Sequence, residues 1–430
     1  MNSLAKINNP YYQPPRILIA PLDWGLGHAT RCIPIIKELL NAKCEVWIAA
    51  TGDQKALLKE EFPDLIFVEI PGYDIKYGKN RAFTLLKIII SIPKILIRIK
   101  RENRWLQQFC RLKGPDAVIS DNRYGLYAPG VCTVFMTHQL TIRTPFGPKA
   151  DAILRRLHYR AIRHFSLCWV PDGEGQHSLA GALSHPAVLP SMPTRYIGLL
   201  SRMEPPGGAG NGRNDTVGPE IRGAGQGGAG SDESCDLLIL LSGPEPQRTL
   251  FERLILEQLS YWPGRAILVR GKPAAGGSSE EGGGSHEEQS DTPKPKEQPS
   301  REGGKNVRPG LTVYDHLPAK ALNAVICGAE IVIARAGYST IMDLVKLGKR
   351  AILVPTPGQS EQEYLGSYLA DRKIAVCVAQ SRFNLPDALA MARDFPFTGI
   401  GEDKKDLLHA AIVSFLEELR GGYSVTPALG

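Results

Sequence analysis

The sequence predicts an α/β protein in which two doubly wound, Rossmann-like domains face a central cleft. Two observations carry this prediction. A strand, a glycine loop, a helix and a second strand follow one another near the start of the chain, and the same order returns in its second half. In doubly wound sheets, ligands bind beside loops at the carboxyl ends of the strands. One such loop in each half therefore indicates two domains with a shared ligand cleft.

The first unit starts with a short apolar strand at residues 16–20. A glycine-bearing loop follows at 21–28 and ends in His28, and apolar residues at helical spacing then predict a helix over 29–40. An apolar run at 45–50 predicts the second strand of the unit. A lone glycine pair is a weak signal, but its place directly after a first strand strengthens it.

The second unit begins with a β-branched run at 330–334, which predicts a buried strand, and ends with another strand at 351–355. The helix between them opens just after Gly337, and a helix N-terminus attracts phosphate through its unpaired N–H groups and its dipole. Asp343 lies one turn into this helix, where a carboxylate can reach a sugar hydroxyl. The alternative needs no ligand, because Thr340 and Asp343 also fit a capping box.

Length and composition support two domains and restrict the partners. The chain has 430 residues with 43% hydrophobic content, enough for two full cores. The net charge of +7 suits phosphate-bearing or anionic partners but is no signature of nucleic-acid binding, so no nucleic-acid partner is predicted. The 8 cysteines lack metal-ligand spacing, which predicts reduced thiols and no metal site. No secretory signal or bilayer-spanning run is visible, which predicts a cytoplasmic location.

Two low-complexity segments divide the chain. A glycine-rich linker at 204–234 and a polar insert at 271–310 contain too little apolar surface to offset their ordering entropy, so both are predicted to be disordered. The predicted domains are therefore an N-terminal Rossmann-like domain at 1–200 and a C-terminal Rossmann-like domain at 235–400. A C-terminal helix and tail occupy 401–430.

The motifs of the second half follow one another in a fixed order: Arg335-Ala336-Gly337, Thr340, Asp343, Val354-Pro355 and the glutamine-rich run 359–364. Together with a first glycine loop that ends in His28, this order resembles the family 28 glycosyltransferases, one member of which adds N-acetylglucosamine to the lipid-linked peptidoglycan precursor. The resemblance covers most of the chain outside the two low-complexity segments and is strongest at 311–378. It implies the GT-B fold, with the nucleotide sugar in the second domain and the acceptor in the first.

The resemblance also implies which residues bind the donor. Gly337 and Thr340 would lie against its diphosphate, Asp343 would take the place of a ribose-binding glutamate, and Gln362 would reach the sugar hydroxyls. A uridine nucleotide is the expected donor base. The full set of expected donor-binding residues is Ser242, Arg248, Leu317, Arg335, Gly337, Ser339, Thr340, Asp343, Gln359 and Gln362.

The sequence departs from the family pattern in two loops. Trp24 and its neighbours fill the first loop, which is usually richer in glycine, so the acceptor is expected to differ from the peptidoglycan intermediate. At the start of the second domain, Pro244 and Pro246 remove two backbone N–H donors, and Arg248 is expected to supply charge in their place.

Glycosyl transfer needs a base for the acceptor hydroxyl and positive charge for the leaving diphosphate. His28 is the first candidate base, while Asp121 and His138 are alternatives because both lie at carboxyl ends of predicted strands. The acceptor and phosphate loop is expected to contain Gly25, Gly27 and Arg31. The chain contains no Asp-x-Asp motif, so a metal-independent, inverting transfer without a cofactor is predicted.

One segment suggests a membrane partner. Residues 85–105 are rich in isoleucine and leucine, carry several lysines and arginines, and contain Pro93, which is expected to kink a helix. Such a segment can lie on an anionic membrane surface, which would place the protein on the inner face of the plasma membrane beside a lipid-linked acceptor. The alternative is a long helix that packs on the core and turns its charges to water.

Three functions remain open at this point. The first is a transferase that uses a nucleotide-sugar donor and an unknown acceptor. The second is a hydrolase of the same fold, because Gly25-x-Gly27-His28-x-x-Arg31-Cys32 also resembles a family 28 relative that uses water as its acceptor. The third is a non-catalytic protein that binds nucleotide sugars.

Overall fold

The computed structural model describes residues 13–72, 81–144, 146–205, 235–243, 245–272, 305–400 and 406–421. Within these ranges the chain forms two seven-stranded sheets joined by helices, and each half of the sequence contributes one sheet. The predicted α/β architecture of two doubly wound domains is confirmed. None of the helices in these ranges is both long enough and apolar enough to cross a bilayer.

Among the described residues, the first domain contains seven parallel strands and four α-helices. Its strands are β1 (Arg16–Pro21), β2 (Glu45–Ala49), β3 (Ile66–Val68), β4 (Ala117–Asp121), β5 (Cys132–Met136), β6 (Leu167–Val170) and β7 (Thr194–Tyr196). Its helices are α1 (Leu26–Asn41), α2 (Gly52–Glu61), α3 (Arg81–Lys113) and α4 (Pro148–Ile162). The strand order β3-β2-β1-β4-β5-β6-β7 changes direction between β1 and β4, and the loops after these two strands therefore border one crevice.

The second domain repeats this layout. Its strands are β8 (Cys235–Leu240), β9 (Ala266–Val269), β10 (Lys305–Arg308), β11 (Leu311–Tyr314), β12 (Ala329–Ala334), β13 (Arg350–Leu353) and β14 (Val376–Cys377). Its helices are α5 (Gln247–Leu259), α6 (Ala319–Gly328), α7 (Tyr338–Lys346), α8 (Ser360–Asp371) and α9 (Leu385–Asp394), and α10 (Leu407–Arg420) follows. The order β10-β11-β9-β8-β12-β13-β14 changes direction between β8 and β12.

The first unit of the sequence folds as predicted, with one shift. The apolar face of α1, which includes Cys32, Ile36 and Leu39, lies fully in the core beneath the first sheet. The helix begins at Leu26 rather than at the predicted residue 29. Gly25, which precedes it, has a φ of 81°, a conformation that glycine adopts without strain, and this allows the chain to turn into the helix early.

The polar insert is shorter than predicted at its C-terminal end. Residues 305–308 form β10, which pairs antiparallel with β11, so the prediction of disorder up to residue 310 is wrong there. An edge position needs backbone pairing on one side only, and this polar sequence forms a strand because β11 supplies that pairing. Residues 273–304 of the insert and 206–234 of the linker lie outside the described residues.

The structural alternative for the second unit, a capping box, is wrong. Helix α7 begins at Tyr338 with Gly337 as its N-cap, and no side chain caps its first turn. Thr340 therefore lies inside the helix rather than at its N-cap position. The first N–H groups of α7 thus lack a side-chain cap, as the phosphate-binding interpretation requires.

Helix α3 combines features of both interpretations of the basic apolar segment. It continues through Pro93 as one helix, and its second half packs on the core through Leu106 and Phe109. Leu96 and Ile97 are exposed by 54% and 52%, in a stretch with exposed lysines and arginines. The side chains of residues 81–92 lie outside the described part of the chain.

The C-terminal helix α10 returns to the first domain. Phe415 packs edge-on against Trp169 of β6, with ring centroids 5.3 Å apart. The guanidinium of Arg195 pairs with Glu418, and Nδ1 of His409 lies 3.1 Å from a carboxylate oxygen of Glu38. The last helix therefore joins the two domains, so the C-terminal segment predicted at 401–430 contributes to the core of the first.

Candidate active site

The candidate bases lie at one edge of the first sheet. The parallel register places Pro21 of β1 opposite Asp121 of β4, and Asp121 opposite Met136 of β5. His28 follows β1 by one short loop, and His138 follows β5 by two residues. The three side chains that the sequence left as competing candidates therefore converge at the crevice between β1 and β4.

His28 and Asp121 form a hydrogen-bonded pair. Nδ1 of His28 lies 3.0 Å from Oδ2 of Asp121, and the carboxylate is fully buried. Burial by itself raises the pKa of Asp121, but the nearby guanidinium of Arg31 and the ring of His28 outweigh it and lower that pKa to about 2. Asp121 is therefore a carboxylate at neutral pH and can only accept hydrogen bonds.

Arg31 connects the pair of His28 and Asp121 to His138. Its Nε donates to Oδ2 of Asp121 (2.8 Å), its Nη2 donates to Oδ1 of the same carboxylate, and its Nη1 lies 3.2 Å from Nδ1 of His138. The side chain is only 2% exposed. A buried guanidinium needs a paired carboxylate to offset its desolvation, and Asp121 meets this need through a bidentate pair.

His138 reaches across the cleft to the second domain. Its Nε2 lies 2.7 Å from Oε1 of Glu361, the second residue of α8. Its ring stacks on Tyr338 of α7, with centroids 4.1 Å apart and planes 4° from parallel. The hydroxyl of Tyr338 donates to the carbonyl of Pro171 in the first domain (2.8 Å). The two domains are thus in direct contact at the candidate base cluster.

The hydrogen-bond partners determine which ring nitrogen of His28 carries the proton. Nδ1 of His28 lies 3.0 Å from Oδ2 of Asp121 and 2.9 Å from Nη2 of Arg31. Because the carboxylate only accepts and Nη2 already donates to its Oδ1, we assign the proton of neutral His28 to Nδ1, directed at Asp121. Burial lowers the pKa of His28, with Arg31 and His138 acting in the same direction and Asp121 opposing them. Nε2 has no hydrogen-bond partner within the described chain, and the side chain is 16% exposed. His28 therefore presents an open lone pair to the cleft.

The glycine loop before His28 is held from two sides. Nε2 of Gln54 in α2 donates to the carbonyls of Leu22 and Gly25. Oγ of Ser339 in α7 donates to the carbonyl of Gly27 (2.9 Å), and a Cβ added at Gly27 would lie 2.9 Å from that hydroxyl. A larger residue at position 27 would therefore require the hydroxyl of Ser339 to shift away from the loop.

The predicted phosphate and ribose residues surround the opening of α7. Gly337 is its N-cap, Thr340 is partly exposed in its first turn, and Ser339 contacts the first glycine loop. Oδ1 of Asp343 accepts a hydrogen bond from Oγ of Ser201 (2.6 Å), a residue that follows β7. Burial raises the pKa of Asp343 to about 6, although Ser201 opposes this shift. The structure thus adds a partner for Asp343 that the sequence did not suggest.

The predicted glutamines form a connected group at the start of α8. Nε2 of Gln362 donates to Oε1 of Gln359 (2.6 Å), and Oε1 of Gln362 accepts from the backbone N–H of Thr356 (2.9 Å). Both glutamine side chains therefore have defined orientations beside Glu361. Their predicted role on the donor sugar stays a prediction.

The other predicted donor residues occupy less open positions. Arg335 is buried; its guanidinium donates to the carbonyl of Gln247 (2.9 Å) and lies 4.2 Å from the ring centroid of Phe251. Arg248 pairs with Glu245 and Glu252, which compensate its charge. Ser242 is partly exposed after β8, and Leu317 is buried after β11; both lie in loops at carboxyl ends of strands.

Sequence reasoning missed two members of the cluster, Tyr338 and Glu361. Both lie inside motifs that the sequence analysis quoted, but neither has a signal of its own. Glu361 is separated from His138 by 223 positions, and their contact depends on how the two domains face each other. The residues that the structure describes contain no group of three or more His, Cys, Asp and Glu side chains placed to hold a metal ion.

Known proteins resemble this chain both in part of its sequence and in its fold. Residues 293–394 match the family model for the glycosyltransferase family 28 C-terminal domain. Over 73 residues the chain is 40% identical to the UDP-N-acetylglucosamine–N-acetylmuramyl-(pentapeptide) pyrophosphoryl-undecaprenol N-acetylglucosamine transferases of Methylorubrum extorquens (strain PA1) and Methylorubrum populi. This stretch covers 16% of the chain and spans 20% of the length of these relatives.

Solved structures share the whole fold. A kitacinnamycin glycotransferase superposes with a TM-score of 0.53 at 13% identity, covering 95% of this chain and 96% of that one. The spinosyn rhamnosyltransferase SpnG, complexed with thymidine diphosphate, gives 0.52 at 14% identity, with 94% and 96% covered. At these identities the likeness shows the fold alone, and the predicted GT-B architecture is confirmed.

Proposed function

From the premise that the C-terminal half of this chain carries a family 28 glycosyltransferase domain on a GT-B fold, we propose that the protein transfers a sugar from a nucleoside-diphosphate sugar to an acceptor hydroxyl. The observation that carries the proposal is His28. Its Nδ1 faces a buried carboxylate while its Nε2 is open to the cleft between the domains. A neutral imidazole in this orientation is suited to accept the proton of an attacking hydroxyl.

The opening of α7 supplies positive electrostatics opposite this base. Ser339 in its first turn contacts the loop that precedes His28, so a diphosphate bound at Gly337 would lie close to the acceptor hydroxyl. The N–H groups and dipole of α7 would stabilise the charge that develops on the leaving nucleoside diphosphate. In this arrangement the acceptor attacks the anomeric carbon from the side of the first domain, as the nucleotide departs toward the second. Such an in-line displacement inverts the anomeric configuration and needs no metal ion.

The donor base is proposed from the relatives. The Methylorubrum transferases are named for UDP-N-acetylglucosamine, while one solved neighbour holds thymidine diphosphate. Because the chain is 40% identical to the first group over 73 residues and only 14% identical to the second, we propose a UDP-linked sugar as the donor. Asp343 would accept a hydrogen bond from the ribose, and Gln359 and Gln362 would contact the sugar.

The acceptor is proposed to be lipid-linked and reached from the cytoplasmic face of the membrane. The relatives are named for a pyrophosphoryl-undecaprenol substrate. On α3, Leu96 and Ile97 are exposed near the exposed cations Lys94, Lys100 and Arg101. Apolar side chains with neighbouring basic residues favour contact with an anionic bilayer surface, which makes the protein a peripheral membrane protein in this proposal.

A donor screen tests the reaction class. The full-length protein is incubated with UDP-N-acetylglucosamine, UDP-glucose and thymidine-diphosphate sugars, with and without membrane lipid extract and EDTA, and released nucleoside diphosphate is measured. Release that requires lipid extract and is unchanged by EDTA supports the proposed transferase. Equal release without any acceptor would identify a hydrolase. Tight binding without release would identify a non-catalytic binder.

Replacing Asp343 with Ala is expected to weaken donor affinity by about tenfold to a hundredfold, because a hydrogen bond to a charged group contributes roughly 1.5–3 kcal/mol. Calorimetric titration with UDP-N-acetylglucosamine measures the change. Ser201→Ala is the matched control, since it removes the other partner of Asp343 but keeps the carboxylate. Unchanged affinity with a lower melting temperature would leave Asp343 as an anchor for the segment after β7.

Membrane contact through α3 is expected to depend on charge. Replacing Lys94, Lys100 and Arg101 together with Gln should abolish co-sedimentation with vesicles that contain anionic phospholipid, since each cation near such a surface contributes on the order of 1 kcal/mol. Donor affinity should not change. Binding of the wild type should weaken as salt rises, because screening shortens the reach of the surface potential.

The control for this measurement removes the same charge elsewhere. Lys37, Lys59 and Lys346 are exposed on other helices, and replacing them with Gln should leave vesicle binding nearly unchanged. Equal loss of vesicle binding in both triple variants would mean that binding depends on net charge and not on the position of the cations on α3. A wild type that ignores anionic vesicles would favour a soluble acceptor.

A further inference from the structure

One face of α8 lies against the first domain along its length. Oε1 of Glu361 lies 2.7 Å from His138, and the hydroxyl of Tyr364 accepts from the backbone N–H of Ala182 (2.8 Å). Directly after the last residue of α8, Nη1 of Arg372 donates to a backbone carbonyl of the first domain. These positions recur at helical spacing, so α8 presents a continuous contact face to the other domain. Only its first turn reaches the candidate base.

The hydrogen bonds from this first turn to His28 have a single consistent direction. A carboxylate only accepts and a guanidinium only donates, so neutral His138, which lies between one of each, has a single arrangement. Nδ1 of His28 lies near both Asp121 and Arg31, and its proton is assigned to Nδ1 as above. Glu361 accepts from Nε2–H of His138, whose Nδ1 accepts from Arg31. Arg31 donates to Asp121, which accepts from Nδ1–H of His28. The chain ends at the open Nε2 of His28.

We propose that Glu361 is a positioning residue that acts across the cleft: it orients His138, which holds Arg31 and Asp121 in the arrangement that leaves Nε2 of His28 ready to accept a proton. The base is then complete only when the two domains are in contact. This inference rests on the proposed function for the role of His28, while the interdomain contact itself can be tested separately.

Two contacts together determine the orientation of the His138 ring. Tyr338 stacks on its face and fixes the plane of the ring but leaves open a 180° flip about the Cβ–Cγ bond. The hydrogen bond to Glu361 selects the flip state in which Nδ1 faces Arg31. Without it, Nη1 of the buried Arg31 loses a well-placed acceptor, and the guanidinium can shift away from Asp121. Burial alone would raise the pKa of Glu361, but His138 and Arg31 outweigh it and lower that pKa.

Kinetics of the full-length protein test the positioning role. With UDP-N-acetylglucosamine as donor and lipid extract as acceptor, Glu361→Ala should lower kcat roughly tenfold or more, while donor affinity stays within about twofold. Glu361→Gln retains an acceptor oxygen and should recover most of the rate. Tyr364→Phe removes another interdomain hydrogen bond of the same helix face and should leave kcat near that of the wild type.

A double substitution distinguishes a linked pair from two independent contacts. If Glu361 acts through His138, the variant with Glu361→Ala and His138→Ala should lose no more rate than the worse single variant. If the rate losses of the two single variants multiply in the double variant, Glu361 acts independently of His138. A loss confined to donor affinity would mean that Glu361 contacts the donor and does not position the base.

Chemical labelling of histidines gives a readout that needs no turnover. Diethyl pyrocarbonate followed by mass spectrometry should modify the exposed His409 quickly and His138 slowly in the wild type, because Nε2 of His138 is buried against Glu361. Labelling of His138 should rise at least fivefold in Glu361→Ala but not in Tyr364→Phe. Fast labelling in the wild type would overturn the contact. Protection of His138 in a protein that turns over no sugar donor would overturn the proposed function and leave the contact standing.

Discussion

We expect the substitution His28→Gln to lower kcat by about a hundredfold or more and to leave donor affinity within about twofold of the wild type. Gln keeps the approximate size of the side chain but has no lone pair basic enough to accept the hydroxyl proton. The measurement is the rate of nucleoside-diphosphate release at saturating donor and acceptor. His409→Gln is the control, because that histidine is exposed on α10 and lies outside the cleft.

The pH dependence of the wild type provides a second test of His28. A general base must be unprotonated, so the rate should be constant near pH 7 and fall as the pH drops through the pKa of His28. Because burial lowers this pKa, the fall should occur below the ordinary histidine value of 6.5. The groups that face the ring are Asp121, Arg31 and His138. Near-normal turnover by the His28→Gln variant would indicate that Asp121 or His138 is the base.

Replacing Asp121 with Asn should damage both stability and catalysis. The change keeps the shape of the side chain but leaves the buried guanidinium of Arg31 without its carboxylate, which costs roughly 3–5 kcal/mol of unfolding free energy. The amide group can also donate to Nδ1 of His28, which would move the ring proton to Nε2 and remove the base. We therefore expect a loss of kcat similar to that of His28→Gln, measured on protein that is still folded.

Denaturant unfolding measures the stability part of this prediction. The pKa of Asp121 is about 2 in the fold and 3.8 in its ordinary state, so its stabilisation is present above pH 3.8 and is lost as the pH falls toward 2. The difference between wild type and Asp121→Asn should shrink over that window. Asp116→Asn is the control, because its pair with Arg16 is exposed and should contribute little. Equal destabilisation by both substitutions would contradict a special role for the buried pair.

The arrangement of the backbone was largely predictable from local patterns. The apolar runs that form β1 and β12 and the glycine at the opening of α7 each reflect a preference of neighbouring residues. Two such units were enough to predict two doubly wound sheets. Parallel sheets place loops at one edge, and this rule also selected His28, Asp121 and His138 as candidates. The polar strand β10 was missed because an edge strand depends on its partner rather than on its own composition.

The sequence by itself determined the order of the elements, the position of each glycine loop and the residue types available at the cleft, because these depend on short-range periodicity and backbone preference. Only the tertiary structure decided how those residues combine. It joined the three competing bases through Arg31, brought Glu361 to His138 and paired Asp343 with Ser201. These contacts link residues that are far apart in the chain. They form because domain packing brings the elements together, and no local pattern encodes that orientation.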